Sequence, residues 1–223
     1  MREEKNTSIA MAKQGQSIYS SMERFEAAQR MAQSLSASTF VPDAYRNNVP
    51  NTLIAIEVAG RYGNLSNAPS VLAVMQNLYV VHGKPAFEAK FVIGLINTCG
   101  RFSPIRWDFK GQWGEEDFGA RAISKDLATG EELIGPLVDM IMAKDEGWID
   151  KKGSKWQTMP EVMLRYRSAS FWIKVYAPEL LLGMHMMDEL QDSQPEKAEV
   201  VRSEVVEKAV SDIDSLADQL TLE

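Results

Sequence analysis

The sequence predicts an α+β fold: a small antiparallel-rich sheet with β-hairpins, backed by helices, plus a C-terminal amphipathic helix. Three observations predict it. Apolar residues recur at helical spacing in Met22–Leu35, Ala89–Cys99, Pro160–Tyr176 and Glu196–Leu220. Between these helices lie short β-rich runs, and two pairs of runs face each other across turn sequences. Hydrophobic residues make up 45% and charged residues 25% of the chain, which places it among ordinary globular proteins. Residues 1–22 read as an N-terminal arm, 23–190 as one core and 191–223 as an acidic helical segment.

In chain order, residues 1–20 are polar and weakly patterned, an arm or a late-ordering helix. Met22, Phe25, Ala28, Met31, Ala32 and Leu35 mark one helix face. Val41–Asn48, with Pro42, Asp43 and an Asn-Asn pair, is a turn region. Pro50 suits the first turn of a helix running to about Tyr62, where its missing N–H costs nothing, and Gly63 ends that helix. Pro69 opens a short helix to about Met75. Asn77–Val81 is β-rich, His82-Gly83-Lys84-Pro85 is turn-like, and Ala86–Phe87 returns as a second strand. Ala89–Cys99 is helical, closed by Gly100, and Ser103–Lys110 alternates as a strand. Gly119–Lys125 and Glu132–Gly135 pair around the turn Asp126–Gly130. Pro136–Glu146 reads as a short helix and Trp148–Thr158 as a polar loop. Pro160–Tyr176 is the strongest helix, limited by Pro178, and Gln191–Pro195 reads as a linker.

Much familiar chemistry is missing from the sequence. There is no G-x-x-x-x-G-K-[ST] loop to cradle a nucleoside triphosphate, no G-x-G-x-x-G and no G-x-S-x-G elbow. Cys99 is the only cysteine and reads as a small buried hydrophobe. His82 and His185 are the only histidines, too few for a histidine-rich metal site. Glu115-Glu116-Asp117 could hold a hard cation for a nuclease, although a solvated loop is the plainer reading. No apolar run spans a bilayer and no signal-peptide core is present, so a cytoplasmic protein without membrane contact is expected. The net charge of −7 is uneven. Leu181–Glu223 holds eleven acidic and three basic residues, a net of −8, which leaves +1 for residues 1–180. A near-neutral body can still carry a basic groove.

Basic residues interleave with aromatic and amide side chains through the core. On the helix Pro160–Tyr176, Arg167 and Lys174 are seven apart and share a face with Ser170 and Phe171, whereas Arg165 lies about 200° from Arg167. Such a stripe suits a phosphate backbone, but on spacing alone a solvated charged edge explains it as well. The preceding loop adds Lys151, Lys152, Lys155, Trp156 and Gln157, the residue types that hold single strands. Gln76, Tyr79 and Lys84 lie in the hairpin region, and Lys90, Arg101, Arg106, Arg121 and Lys125 follow. Trp107 and Trp113 offer stacking surfaces, though core or interface packing is the commoner use. These residues alone support a nucleic-acid binder, and they leave open a scaffolding oligomer that binds no DNA.

The segment Trp156–Glu179 (WQTMPEVMLRYRSASFWIKVYAPE) closely resembles the RecT family of phage single-strand annealing proteins. The resemblance extends through Gln76–Pro85 (QNLYVVHGKP), Ile96–Pro104 (INTCGRFSP) and Gly119–Ala122 (GARA), covering roughly residues 25–190. The lambda Red beta protein looks similar, more distantly, at Pro160, Leu164-Arg165, Arg167 and Lys174. The resemblance implies binding of single-stranded DNA and annealing of complementary strands without nucleotide hydrolysis. The partners it implies are single-stranded DNA, the annealed duplex intermediate, further copies in a ring or helical filament, a 5′–3′ exonuclease that leaves 3′ overhangs, and a host single-strand binding protein. A bacterial cytoplasm, with the gene carried by a phage or prophage, is the implied setting. No cofactor is required on this reading, with Mg²⁺ a candidate influence on annealing. Lys84, Arg165, Arg167 and Lys174 carry over as DNA-contacting, with Gln76, Lys155 and Gln157 behind them; Lys90, Arg106 and Arg121 complete the candidate set. Position 174 often holds Arg in the family, and position 76 is basic in the distant relative, so Lys174 and Gln76 depart from the pattern.

Overall fold

Polar residues placed just ahead of apolar runs start the first helices. In the computed structural model, which describes residues 17–81 and 83–192, Ser21 accepts the Arg24 N–H and opens α1 (Met22–Ser36). Asn48 accepts the Asn51 N–H and opens α2 (Val49–Arg61), with Pro50 in its first turn. Ser70 does the same for α3 (Val71–Asn77), so that helix begins after Pro69 rather than on it. α2 ends through Tyr62 in right-handed conformation, and Gly63 does not supply the left-handed cap its position suggests.

The chain continues through β1 (Leu78–Val81), β2 (Lys84–Phe87), α4 (Ala89–Thr98), β3 (Arg106–Lys110) and β4 (Gly119–Lys125). Then come β5 (Glu132–Ile134), β6 (Val138–Asp139), α5 (Met140–Asp145), α6 (Lys155–Thr158), α7 (Pro160–Tyr176), β7 (His185–Met186) and α8 (Met187–Asp192). This is an α+β architecture with two small sheets among the described residues.

In the first sheet β1 and β2 form an antiparallel hairpin, and β7 joins β2 in parallel. Val81 faces Lys84 in register, so Lys84 and Pro85 belong to the strand and not to the turn. Gly83, at φ +75°, supplies the left-handed geometry a two-residue link needs. In the second sheet β3, β4 and β5 are antiparallel, and β6 pairs with β4 beside β5. The predicted helix over Pro136–Glu146 therefore starts only at Met140. Val138 and Asp139 are held to Ala120 and Gly119, and the Asp139 carboxylate then caps the Met142 N–H at 2.7 Å.

α7 crosses the second sheet and also packs on α4. Ala120, Ala122 and Ser124 are buried on the face of β4 that α7 covers, and small side chains there let the helix approach closely. Trp172 fills the space between, edge-on to Phe102 at 5.0 Å, with its indole N–H donating to the Leu133 carbonyl at 2.9 Å. A second cluster gathers Leu164, Val138, Phe118, Trp148 and Trp156. Trp156 is 1% exposed and lies 5.2 Å from Trp148, so the polar-loop reading of 148–158 fails at both tryptophans. The lysines around them do stay at the surface.

Residues 17–20, expected in the arm, pack down: Ile18 is buried and its N–H donates to Glu57 Oε2 at 2.7 Å. Gln191 and Asp192, expected in a linker, belong to α8. The remainder of the arm, the rest of the linker, His82 and the helix expected over 196–220 lie outside the described residues. No helix among the described residues is long and apolar enough to cross a membrane.

Candidate nucleic-acid interface

Spacing of three and four residues lines up Arg167, Ser170 and Lys174 on one side of α7. All three converge on Glu189 of α8. Arg167 Nη1 lies 3.8 Å from Glu189 Oε1, the Ser170 hydroxyl donates to the same oxygen, and the Lys174 ammonium donates to Oε2. Arg167 is 5% exposed, and its guanidinium carbon sits 4.0 Å from the centroid of the Trp148 ring. The ring face and the carboxylate together balance a charge that burial alone disfavours. Lys84 at the start of β2, His185 of β7, and Glu146 complete a cleft of about 540 Å³. Three fixed cations thus face two carboxylates there.

A second, smaller groove of about 320 Å³ holds Lys151, Lys152, Lys155, Trp156, Met163, Asp188 and Gln191. Lys151 donates to the Gln191 carbonyl at 3.1 Å. α8 lines both hollows, with Glu189 and Leu190 in the larger and Asp188 and Gln191 in the smaller.

Of the residues singled out from sequence, the cleft gathers Lys84, Arg167 and Lys174, and the adjoining groove takes Lys155. The others sit elsewhere. Gln76 donates to the Phe40 carbonyl at 3.3 Å. Lys90 pairs with Glu88, whose hydrogen bond holds the ammonium above the ordinary lysine value. Arg106 and Arg121 lie on the face of the second sheet opposite the buried Ala120 and Ala122. Arg106 reaches Glu132 at 3.5 Å, whereas the buried Nε of Arg121 has no hydrogen-bond partner. Gln157 ties α6 to the Ile149 carbonyl at 2.9 Å.

Arg165 does point away from Arg167, as helical geometry requires, and it meets β3. Its guanidinium carbon lies 5.2 Å from the Trp107 ring centroid and 5.0 Å from that of Phe109, and it pairs with Glu161 on its own helix. The Trp107 indole N–H donates to the Arg165 carbonyl at 3.1 Å. Trp113 alone of the five tryptophans is largely exposed. Glu116 pairs with Lys144, and Asp117 Oδ1 accepts the Gln112 N–H at 3.4 Å.

Sequence reasoning missed Glu189, Trp148, Glu146 and His185 as parts of one site. Glu189 is an unremarked acid in an acidic stretch, and nothing local signals that it meets a helix 15 residues earlier. No family model, curated protein or solved structure matches the chain.

Proposed function

We propose that the protein binds single-stranded DNA through its phosphates and anneals complementary strands without nucleotide hydrolysis, as the RecT family it resembles does. The observation that carries this reading is the convergence of Lys84, Arg167 and Lys174, from a strand and a helix far apart in sequence, on one cleft. Phosphate contacts position a strand without reading its sequence, and an annealer must leave base edges free to test each other. The three lysines of the adjoining groove extend the basic surface. The segments that carry the resemblance also lie close in the fold: Gln76–Pro85 makes the hairpin that bears Lys84, Gly119–Ala122 begins β4, and Trp156–Glu179 makes the helix packed on β4.

On this reading the protein acts as a homo-oligomer in a bacterial cytoplasm, on 3′ overhangs made by a partner 5′–3′ exonuclease. Base pairing supplies the driving force, roughly 1.4 kcal/mol per stacked step. Anisotropy of a labelled oligonucleotide, with annealing of dye- and quencher-labelled complementary strands in the absence of ATP, tests it. Wild-type protein binds, anneals, and loses affinity steeply as salt rises. Lys84→Gln and Lys174→Gln weaken both activities. Wild-type protein that neither binds nor anneals at low salt overturns the reading.

A further inference from the structure

Two features of the cleft sit awkwardly with an open phosphate site. Arg167 is buried, although a strand must reach it. The acceptor position in front of Arg167, Ser170 and Lys174 is already taken by Glu189. A carboxylate and a phosphate compete for the same donors, and two anions side by side repel each other.

From this geometry we infer that α8 is a displaceable gate, with Glu189 standing in for a backbone phosphate until a strand replaces it. The inference rests on the DNA-binding reading above and adds its regulation. The gate is placed to do more than block one contact. Because α8 lines both the large cleft and the lysine groove, it is the partition between them. Its departure joins Lys84, Arg167 and Lys174 on one side to Lys151, Lys152 and Lys155 on the other, making one basic track.

Several contacts that seat α8 are ones an incoming strand can take over. Leu190 is the one buried side chain among those described on this helix. α8 rests on β1, β2 and β7 of the first sheet. Polar contacts through Glu189 and the Lys151 bond to Gln191 help to hold α8 in place. An incoming polyanion offers the same cations an equivalent acceptor.

Two measurements on the full chain test the gate, with a fluorescein-labelled oligothymidylate as probe. In the first, Glu189→Gln binds the oligonucleotide about tenfold more tightly than wild type, a common size for coupling between two competing contacts. Glu132→Gln, which removes the same charge from the opposite sheet face, stays near wild type. In the second, hydrogen exchange on the wild-type protein needs no variant. Amides of residues 187–192 exchange faster when the oligonucleotide is bound, while those around Lys174 exchange more slowly. Slower or unchanged exchange over 187–192 in the bound protein overturns the gate, and it decides the matter where the two measurements disagree. If Lys84→Gln and Lys174→Gln still weaken binding in that case, the DNA-binding reading stands without the gate. If wild type and Glu189→Gln both fail to bind, the DNA-binding reading itself fails.

Discussion

Arg165 and Arg167 stand two residues apart on α7 and occupy different worlds. Arg165 is half-exposed, paired with Glu161 one turn away on its own helix, and laid over Trp107 and Phe109 of the second sheet. Arg167 is buried under Trp148 and paired with Glu189, which comes from an element 20 or so residues later. One arginine staples the helix to its sheet through contacts that are mostly local. The other lines a cleft, in contacts that only the folded chain can assemble. The difference shows how one helix can pack on a sheet with one side and line a cleft with the other, because residues about 200° apart face different ways.

The largest effect comes from removing what both sides depend on. Trp172→Ala empties the space between Phe102 and the Leu133 carbonyl, and about 3–5 kcal/mol of stability is lost in a denaturant titration. Both arginine sites fail together in that variant. Next in size is the contrast between the arginines themselves. Arg167→Ala strips a half-buried carboxylate of one of its cations, and Lys174 and Ser170 remain to serve it, so the cost is about 1–3 kcal/mol. Arg165→Ala loses an exposed pair and two ring contacts, worth below about 1 kcal/mol. Equal losses in the two variants break the comparison.

Lys174→Gln is the sharper probe of binding because its side chain is partly exposed and its removal leaves the core alone. Its stability stays within about 0.5 kcal/mol of wild type. The plot of log affinity against log salt becomes shallower by about 0.7, one phosphate contact on a single strand. An unchanged slope removes Lys174 from the interface.

The smallest effect lies remote from α7 and serves as a control. Burial pushes the Glu57 carboxyl up, but the Ile18 N–H, Arg61 and Ser17 outweigh it and hold the group below the ordinary carboxylate value. A depressed carboxyl contributes stability that is fully present above the unfolded-state value and is lost as pH falls through the folded one. The wild-type melting temperature therefore declines on acidification through the carboxylate range more than that of Glu57→Gln. Parallel declines in the two proteins sink this assignment.

Local chemistry was legible in the sequence wherever neighbours along the chain decide the outcome. The span of α7 follows from Pro160, the apolar spacing and Pro178, and it runs over Pro160–Tyr176 as read. The turn at Asp126–Gly130 is of the same kind. So is the placement of Arg167, Ser170 and Lys174 on one stripe, since it needs only helical geometry. The boundaries that shifted, at Lys84 and at Val138–Asp139, are places where pairing to another strand overrides local preference.

What the sequence by itself determined is thus the α+β class, the main helices of the described core and the stripe of donors on α7. The tertiary structure alone decided which residues the stripe faces. Trp156 looked like a stacking surface because lysines precede it in the chain, but it is buried against Trp148 in the second core. Glu189 looked like one more surface acid, but the parallel pairing of β7 on β2 sets α8 against the cleft and delivers its carboxylate to Arg167 and Lys174. The physical reason is range. Helix periodicity and capping are settled within a few residues, while burial and charge pairing depend on which distant segments fold together.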